Sequence, residues 1–152
     1  MTPEQKIVEL GLTLPAVAAP AGAYLPAVRS GDYVYTSGQV PVVDGKLAQT
    51  GKVGAGVTLE EGAALARICA LNALAALKSE VGDLSRIVRI VKVTVFVASD
   101  VSFTEQPKVG NGASDLLAEV FGDLGRHARS AVGVAVLPLD SPVEVEVIAE
   151  VS

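Results

Sequence analysis

The chain has 152 residues, which is the size of one domain and enough for a hydrophobic core. Half of its residues are apolar and only 19% are charged, against roughly 25% in an average soluble domain. We therefore expect an oligomer that buries apolar surface beyond the core of one chain. The net charge of −5 and the scattered basic residues argue against nucleic acid as a principal partner, because phosphate binding depends on clustered Lys and Arg.

The rarest residue types limit the chemistry further. The single cysteine, Cys69, excludes an internal disulfide, and one Cys with one His excludes a metal site built from those ligands. No P-loop, dinucleotide-binding glycine pattern or Ser/His/Asp set is present, and we expect no cofactor. The N-terminus lacks a signal-peptide pattern, and no charge-free apolar stretch reaches the about 18 residues of a membrane span. A cytoplasmic protein without membrane contact is expected.

The first third of the chain predicts a helix, an arm and two hairpins. Thr2 caps a short helix that Gly11 ends. The uncharged residues 12–23, which include prolines, indicate an extended, packed arm. Glycine-containing turns then join β-prone runs into a predicted antiparallel meander, with Tyr24–Arg29 followed by Tyr33–Ser37 and a second hairpin at Asp44–Gly45.

Helices and strands alternate in the rest of the chain. Thr58 and Glu61 predict a capping box for a helix that Gly82 ends. A second helix is predicted to begin at Ser102 or Thr104, with Pro107 in its first turn, and to end at Phe121. The predicted strands are rich in β-branched residues and comprise Ile87–Ala98, Ser130–Leu137 and Val143–Val151.

This order of elements indicates a single α+β domain over residues 1–152, with one sheet and two helices packed on one of its faces. Strands that are apolar on both sides must be covered on both sides. The two helices leave the sheet face of Val132, Val134 and Val136 uncovered, which again favours an oligomer.

Four groups of residues, met in order along the chain, resemble the signatures of the RidA (YjgF) family of enamine/imine deaminases. They comprise Gly22–Tyr24, Tyr35–Pro41, Gly82–Leu84 leading to Val95–Val97, and Ala128–Val132 with Leu137–Pro138 and Val143–Ala149. The resemblance implies a chorismate-mutase-like/YjgF fold with one mixed sheet. It also implies a homotrimer with clefts between subunits that bind a small carboxylate substrate; the number three comes from the resemblance alone.

The resemblance assigns catalytic roles to Arg129 and Glu144. Arg129 matches the family arginine that clamps the substrate carboxylate, a task suited to two parallel N–H donors. Its alternative is a salt bridge to a neighbouring chain. Glu144 matches the glutamate that orients the attacking water or exchanges a proton, and burial beside valines would raise its pKa and favour this role. Its alternative is a strand carboxylate that faces solvent or pairs with lysine.

Five further residues match substrate-binding positions of the family. Tyr24 matches a tyrosine at the cleft, and Ser37 and Gly38 match a loop whose backbone and hydroxyl approach the ligand. Asn111 lies near the family's helix asparagine, although one extra residue separates it from the arginine. Ala131 replaces the cysteine of the best-known members, and the backbone carbonyl at this position is the expected water ligand.

Two points remain open from the sequence. A simple hairpin through Pro138–Pro142 would set Glu144 opposite about residue 135, roughly 20 Å from Arg129 at ~3.3 Å per residue. The two residues share a site only if these strands are not neighbours, or if separate subunits supply them. His127, the only histidine, is either a general acid/base or a loop histidine with a structural hydrogen bond.

Three functional hypotheses follow. The first is hydrolytic deamination of small 2-enamino or 2-imino acids to 2-keto acids and ammonia. The second is a non-catalytic module that senses a small carboxylate metabolite. The third, an endoribonuclease or translation inhibitor, has precedent in the family and is disfavoured by the acidic charge.

Overall fold

The computed structural model describes all 152 residues. Its main elements follow the order predicted for the chain, after a short N-terminal helix. They are α1 (Pro3–Glu9), β1 (Ala27–Ser30), β2 (Tyr33–Thr36), β3 (Val42–Val43), β4 (Lys46–Leu47), α2 (Leu59–Val81), β5 (Ile87–Ala98), α3 (Gln106–Phe121), β6 (Ala128–Val134) and β7 (Val143–Val151). Short 3-10 turns occupy Leu84–Arg86, Gly122–Gly125 and Pro138–Asp140.

Five strands form one mixed sheet in the order β1-β2-β7-β5-β6. β5 pairs antiparallel with β7 and parallel with β6, and both β5 and β7 have their predicted bounds. β5 is apolar on both sides along much of its length, as a strand between two neighbours requires. β3 and β4 form a separate hairpin, so the predicted meander is wrong beyond β2.

The helices α2 and α3 pack against each other and against one face of the sheet, which is the predicted α+β arrangement. Val93, Val95 and Val97 of β5 are fully buried beneath them in a single hydrophobic core. By length and composition alone, α2 could span a membrane, yet 61% of its most apolar 18-residue window is buried within this fold. A core helix of a folded domain accounts for that apolar character.

Local sequence signals predicted most of the helix ends correctly and one wrongly. The capping boxes at Thr2 and Thr58 are both formed, and α2 ends at Gly82, whose φ of 83° suits glycine. The prediction that α3 begins at Ser102 or Thr104 is wrong. The Ser102 N–H donates to the Asp100 carboxylate at 3.0 Å and closes a turn instead, so the helix begins at Gln106.

The first strand begins later than predicted, which places Tyr24 outside the sheet. Pro26 has no N–H to donate to a neighbouring strand, and β1 therefore starts at Ala27. The second predicted hairpin is present, with Asp44 at φ 52° and Gly45 at φ 81° in its two-residue turn. Residues 12–23 form no helix or strand, and Leu12 and Leu14 pack against the core.

The two C-terminal strands are not neighbours, because β5 lies between them. β6 ends at Val134, not at the predicted Leu137. The chain then crosses the end of β5 through residues 135–142, where Leu139 and Asp140 adopt φ values of 60° and 59°. This crossover brings β7 back antiparallel to β5 on its other side, and a simple hairpin is excluded.

The sheet face turned away from α2 and α3 is here called the open face. Strand alternation places Glu144 and Glu146 on it, together with Lys92 of β5, which is in register with Ile148, and all three charged residues are half-buried. Val132 of β6 also lies on it and is 43% exposed. The prediction of an uncovered face is correct for Val132, but the centre of that face is charged and not wholly apolar.

Candidate active site

The side chain of Arg129 lies on the helix side of the sheet, where α3 holds it by three hydrogen bonds. Its Nη1 donates to Asn111 Oδ1 at 2.9 Å and to Ser114 Oγ at 3.1 Å, and its Nη2 donates to the Pro107 carbonyl at 3.2 Å. No carboxylate lies within 4.0 Å of the guanidinium. The charge of Arg129 is therefore held in place and is not neutralised within the chain.

A glycine of α3 allows this close approach. A Cβ built on Gly110 would lie 3.1 Å from Arg129 Nη1 and 3.4 Å from the Cβ of Ala131. Asn111, Arg129 and Ala131 thus meet around the backbone of Gly110, despite the extra residue that separates Asn111 from Arg129 along the chain. We call Arg129, Asn111, Ser114 and Ala131 the arginine group.

Glu144 lies on the open face, where it contacts the loop that follows β2. A Cβ built on Gly38 would lie 2.7 Å from the carboxyl carbon of Glu144, so a larger residue at this position would displace the carboxylate. The carboxylate has no hydrogen-bond or ion-pair partner within the chain. Burial, and to a lesser degree the charge of Glu146, raise the pKa of Glu144 above its usual value.

The other two predicted residues of this region face their own backbone. The Ser37 hydroxyl donates to the Leu25 carbonyl at 2.5 Å, and the Ser37 N–H donates to the Pro26 carbonyl at 2.8 Å. Tyr24 is 50% exposed, and its hydroxyl oxygen accepts the Ala21 N–H at 3.1 Å. We call Glu144, Gly38 and Ser37 the glutamate group; Tyr24 lies in the loop that precedes β1.

One chain does not bring the two groups together. Arg129 is in register with Val93 and Glu144 with Phe96, on opposite sides of β5. Two strand spacings and three residues along the sheet separate their Cα atoms by about 14 Å. Their side chains also point to opposite faces, because Val93 faces the helices and Phe96 does not. A site that contains both residues therefore requires two chains.

His127 takes a structural position next to the arginine group. Its Nδ1 lies 2.6 Å from the Gly125 carbonyl and its Nε2 lies 2.9 Å from Ser114 Oγ. Because a carbonyl only accepts, Nδ1 carries the proton and Nε2 accepts from the Ser114 hydroxyl. Burial lowers the pKa of His127, the bond to Gly125 partly opposes this, and the charge of Arg129 adds to the lowering.

Sequence reasoning predicted only Asn111 from α3 and missed the other α3 residues of this site. Pro107, Gly110, Asn111 and Ser114 all contact Arg129, and their spacing of i, i+3, i+4 and i+7 places them on one face of a helix. That stripe of small and polar residues was the available signal for Gly110 and Ser114. No group of three or more His, Cys, Asp or Glu side chains that could hold a metal ion is present.

The fold and the site together define an α+β domain of the chorismate-mutase-like class, with a fixed guanidinium on one face of its sheet and a carboxylate of raised pKa on the other. A sequence profile for the family described as "YjgF/chorismate_mutase-like, putative endoribonuclease" matches residues 4–151. The chain therefore belongs to the YjgF (RidA) family, as its sequence signatures predicted.

Several known proteins are similar to this chain over most of its length. Protein TCP17 of Trypanosoma cruzi is 51% identical over 144 residues, covering 94% of this chain and 90% of TCP17. A crystal structure from Shewanella oneidensis MR-1, described as a putative endoribonuclease, superposes with a TM-score of 0.97 at 44% identity, covering 99% of this chain and 100% of that chain. The 2-iminobutanoate/2-iminopropanoate deaminase of Escherichia coli K12 is 35% identical over 144 residues, covering 90% of this chain and 95% of the deaminase.

Proposed function

We propose that the protein is a hydrolytic deaminase of small 2-enamino or 2-imino acids, acting at clefts between the subunits of a homotrimer. The observation that carries this proposal is the Arg129 guanidinium, which α3 holds by three hydrogen bonds and which no carboxylate of the chain neutralises. A fixed cation of this kind suits a small carboxylate ligand. The similarity to the Escherichia coli deaminase supports the same substrate class.

The hydrogen bonds of Arg129 leave a suitable pair of donors for that ligand. A guanidinium has five N–H groups, and three of them serve Asn111, Ser114 and the Pro107 carbonyl. One Nη2–H and the Nε–H remain, and these two nitrogens form a side-on fork that pairs with both oxygens of a carboxylate. The contacts with α3 therefore orient the guanidinium without consuming its capacity to bind substrate.

Glu144 would handle the water and protons of the reaction. Its raised pKa lets the carboxyl group exchange a proton closer to neutral pH than an ordinary glutamate would. An enamine is first protonated at carbon and becomes an imine. Water, positioned by Glu144 and by the backbone carbonyl near Ala131, then adds to the imine carbon while nitrogen takes up a proton. The C–N bond breaks, ammonia leaves, and the remaining hydroxyl becomes the keto group.

This chemistry requires no organic cofactor or metal, because the carbon of an imine is already electrophilic. The protein supplies position and charge instead. Arg129 fixes the carboxylate one bond away from the reacting carbon, and a substrate held at one end loses little further freedom when it reacts. Glu144 supplies the proton exchange that bulk water would otherwise provide.

The proposed assembly follows from the positions of the two groups. Arg129 and Glu144 lie on opposite sheet faces of one chain, so each complete site would combine the arginine group of one subunit with the glutamate group of the next. The open face also carries apolar side chains for a contact between subunits. Val28, Tyr33, Tyr35 and Val132 are all 41–49% exposed there, an arrangement typical of an interaction surface.

The deaminase proposal is tested by measuring 2-keto acid release from freshly generated 2-aminoacrylate, with and without the protein. Wild type should accelerate release, and Arg129→Ala should reduce that acceleration. Arg126→Ala is the matched control, because Arg126 is an exposed arginine three residues away and interacts only with Asp123 at 3.8 Å through its side chain. Release at the uncatalysed rate in the presence of wild type would end the proposal.

The second candidate is a binding module that senses a small carboxylate. It is favoured by one observation, namely that the arginine group is complete within one chain whereas a catalytic pair is not. Sensing requires Arg129 alone, so binding of a keto acid without any acceleration of keto acid release would favour it. Ribonuclease activity remains the least favoured proposal, because the chain carries a net charge of −5.

A further inference from the structure

We propose that Ser114 and His127 are a positioning pair for the Arg129 guanidinium, with His127 acting as a neutral hydrogen-bond acceptor at Nε2. The proposal rests on the proposed function only in taking Arg129 as the residue that binds the carboxylate. It assigns a role to the one histidine of the chain and to a serine that carries no sequence signature of its own.

The directions of the hydrogen bonds define the pair. The Gly125 carbonyl, 2.6 Å from Nδ1, fixes the His127 proton on that nitrogen, and Nε2 therefore presents a lone pair to Ser114 Oγ at 2.9 Å. The Ser114 proton points at His127 in consequence. A lone pair of the same oxygen is left for Arg129 Nη1 at 3.1 Å. The Gly125 carbonyl thus determines which group donates and which accepts in the bond between Ser114 and His127, and it leaves Ser114 as the acceptor for Arg129.

The pair acts on the side of Arg129 opposite to its free fork. Nη1 is fully occupied by Ser114 and Asn111, while Nε and one Nη2–H remain for a ligand. Asn111 is exposed, whereas Ser114, His127 and Arg129 are half-buried. A hydrogen bond that is partly shielded from water constrains a side chain better than an exposed one. Ser114 is therefore the firmer of the two Nη1 contacts.

The charged groups around His127 influence whether its imidazole is neutral or protonated. On the side of α3, the groups that face it are Arg129, Asp115 and Arg126, the last of which pairs with Asp123. On the other side, the groups that face it are Tyr33, Arg89 and Glu150. Burial and the charge of Arg129 both lower the pKa of His127. Both effects favour the uncharged imidazole, which keeps the Nε2 acceptor.

Ligand binding and the protonation of His127 are coupled through this geometry. A carboxylate on Arg129 neutralises the charge that disfavours an imidazolium nearby, and this favours protonation of His127. Protonation also places a proton on Nε2 and removes the acceptor for the Ser114 hydroxyl, and this disfavours it. Because these two effects oppose each other, the tautomer of His127 and the variants at Ser114 and His127 test the pair, and the ligand dependence of the His127 pKa does not.

The single histidine makes the test direct, because nitrogen NMR of the labelled imidazole reports one residue only. The ligand-free wild type should show the tautomer protonated at Nδ1. Arg129→Met should raise the pKa of His127, since it removes a nearby cation. The Nε2-protonated tautomer, or a pKa of His127 unchanged by Arg129→Met, would overturn the proposal.

Binding measurements supply the functional half of the test. His127→Ala and Ser114→Ala should each weaken 2-oxobutyrate binding about twofold to tenfold, because each removes one hydrogen bond of the pair while Asn111 and the Pro107 carbonyl still hold the guanidinium. His127→Gln should restore most of the affinity, because its amide oxygen can replace the Nε2 acceptor. Lys108→Ala on the same helix is the matched control, since its side chain pairs only with Glu105.

The outcomes separate this proposal from the proposed function. Wild-type affinity in both His127→Ala and Ser114→Ala overturns the positioning pair and leaves the deaminase proposal intact. A wild type that fails to bind the keto acid overturns the role of Arg129 instead. In that case the tautomer and the effect of Arg129→Met on the ligand-free protein still decide whether the pair holds the guanidinium. Comparing the unfolding temperatures of all variants identifies any that act through stability.

Discussion

Replacing Arg129 by alanine should weaken binding of a small carboxylate about tenfold to a hundredfold. A hydrogen bond to a charged group contributes about 1.5–3 kcal/mol, and each 1.4 kcal/mol is a factor of about ten in affinity. The free Nε–H and Nη2–H provide two such bonds, but part of their energy repays the desolvation of the guanidinium and of the ligand. The free energy of one such bond is therefore the better estimate of the affinity that Arg129→Ala loses.

Calorimetric titration of 2-oxobutyrate into wild type and variants measures this effect. Arg129→Lys should recover only part of the affinity, because lysine keeps the charge and loses the planar fork. Arg126→Ala, the exposed neighbour, should bind as wild type does. Oligomer size is followed in parallel, since a variant that dissociates into monomers would show that Arg129 acts structurally. Wild-type affinity in Arg129→Ala would refute the clamp and with it the deaminase assignment.

Three further predictions concern Glu144 and the assembly. Glu144→Gln should lower turnover while leaving keto acid binding largely intact, with Glu150→Gln on the same strand and face as control; equal losses of both would mark Glu144 as structural. The pKa of Glu144 is raised in the folded state from the usual 4.5, so the wild type should lose stability relative to Glu144→Gln as the pH rises from 4.5 to the folded pKa. The unfolding temperature of Glu144→Gln should therefore exceed that of the wild type by more at pH 7 than at pH 4. A smaller difference at pH 7 would show that the pKa of Glu144 is lowered and not raised. Light scattering should report three chains per particle, and a stable monomer at micromolar concentration would exclude the site between subunits.

Local signals in the sequence were sufficient for most elements of the fold. The β-branched runs gave the bounds of β5 and β7, and the capping boxes at Thr2 and Thr58 located the starts of α1 and α2. The start of α3 was misplaced because Ser102 and Thr104 have the side chains of an N-cap, while the Ser102 hydroxyl and N–H bond to Asp100. Two structures compete for the same polar groups there, and sequence alone does not decide between them.

The order of strands depends on contacts that short-range patterns do not encode. A turn-rich segment between two apolar runs usually indicates a hairpin, and residues 138–142 fit that description. The chain forms a crossover there instead, because β5 pairs with both β6 and β7 and lies between them, so a tight turn cannot join these two strands. The face on which each site residue lies follows from this pairing, so the separation of Arg129 from Glu144 became visible only in three dimensions.

The candidate site was predicted in part for a similar reason. The resemblance to the family identified Arg129, Asn111 and Ala131, and the structure brings these three together. Ser114 and His127 match no motif, and their contact with Arg129 arises from the packing of α3 on β6. A residue that positions another residue needs only a suitable location and one hydrogen-bond donor or acceptor, which several residue types can provide. Sequence signatures therefore identify them poorly.

The central claim is that each site combines Arg129 of one subunit with Glu144 of another. Co-expressing Arg129→Ala and Glu144→Gln chains with different tags, and purifying by both tags, isolates mixed trimers from two inactive parents. Each mixed trimer would contain one interface with both residues intact, so turnover should recover to about a third of wild type in a cyclic trimer. Mixed trimers as inactive as either parent would contradict the claim.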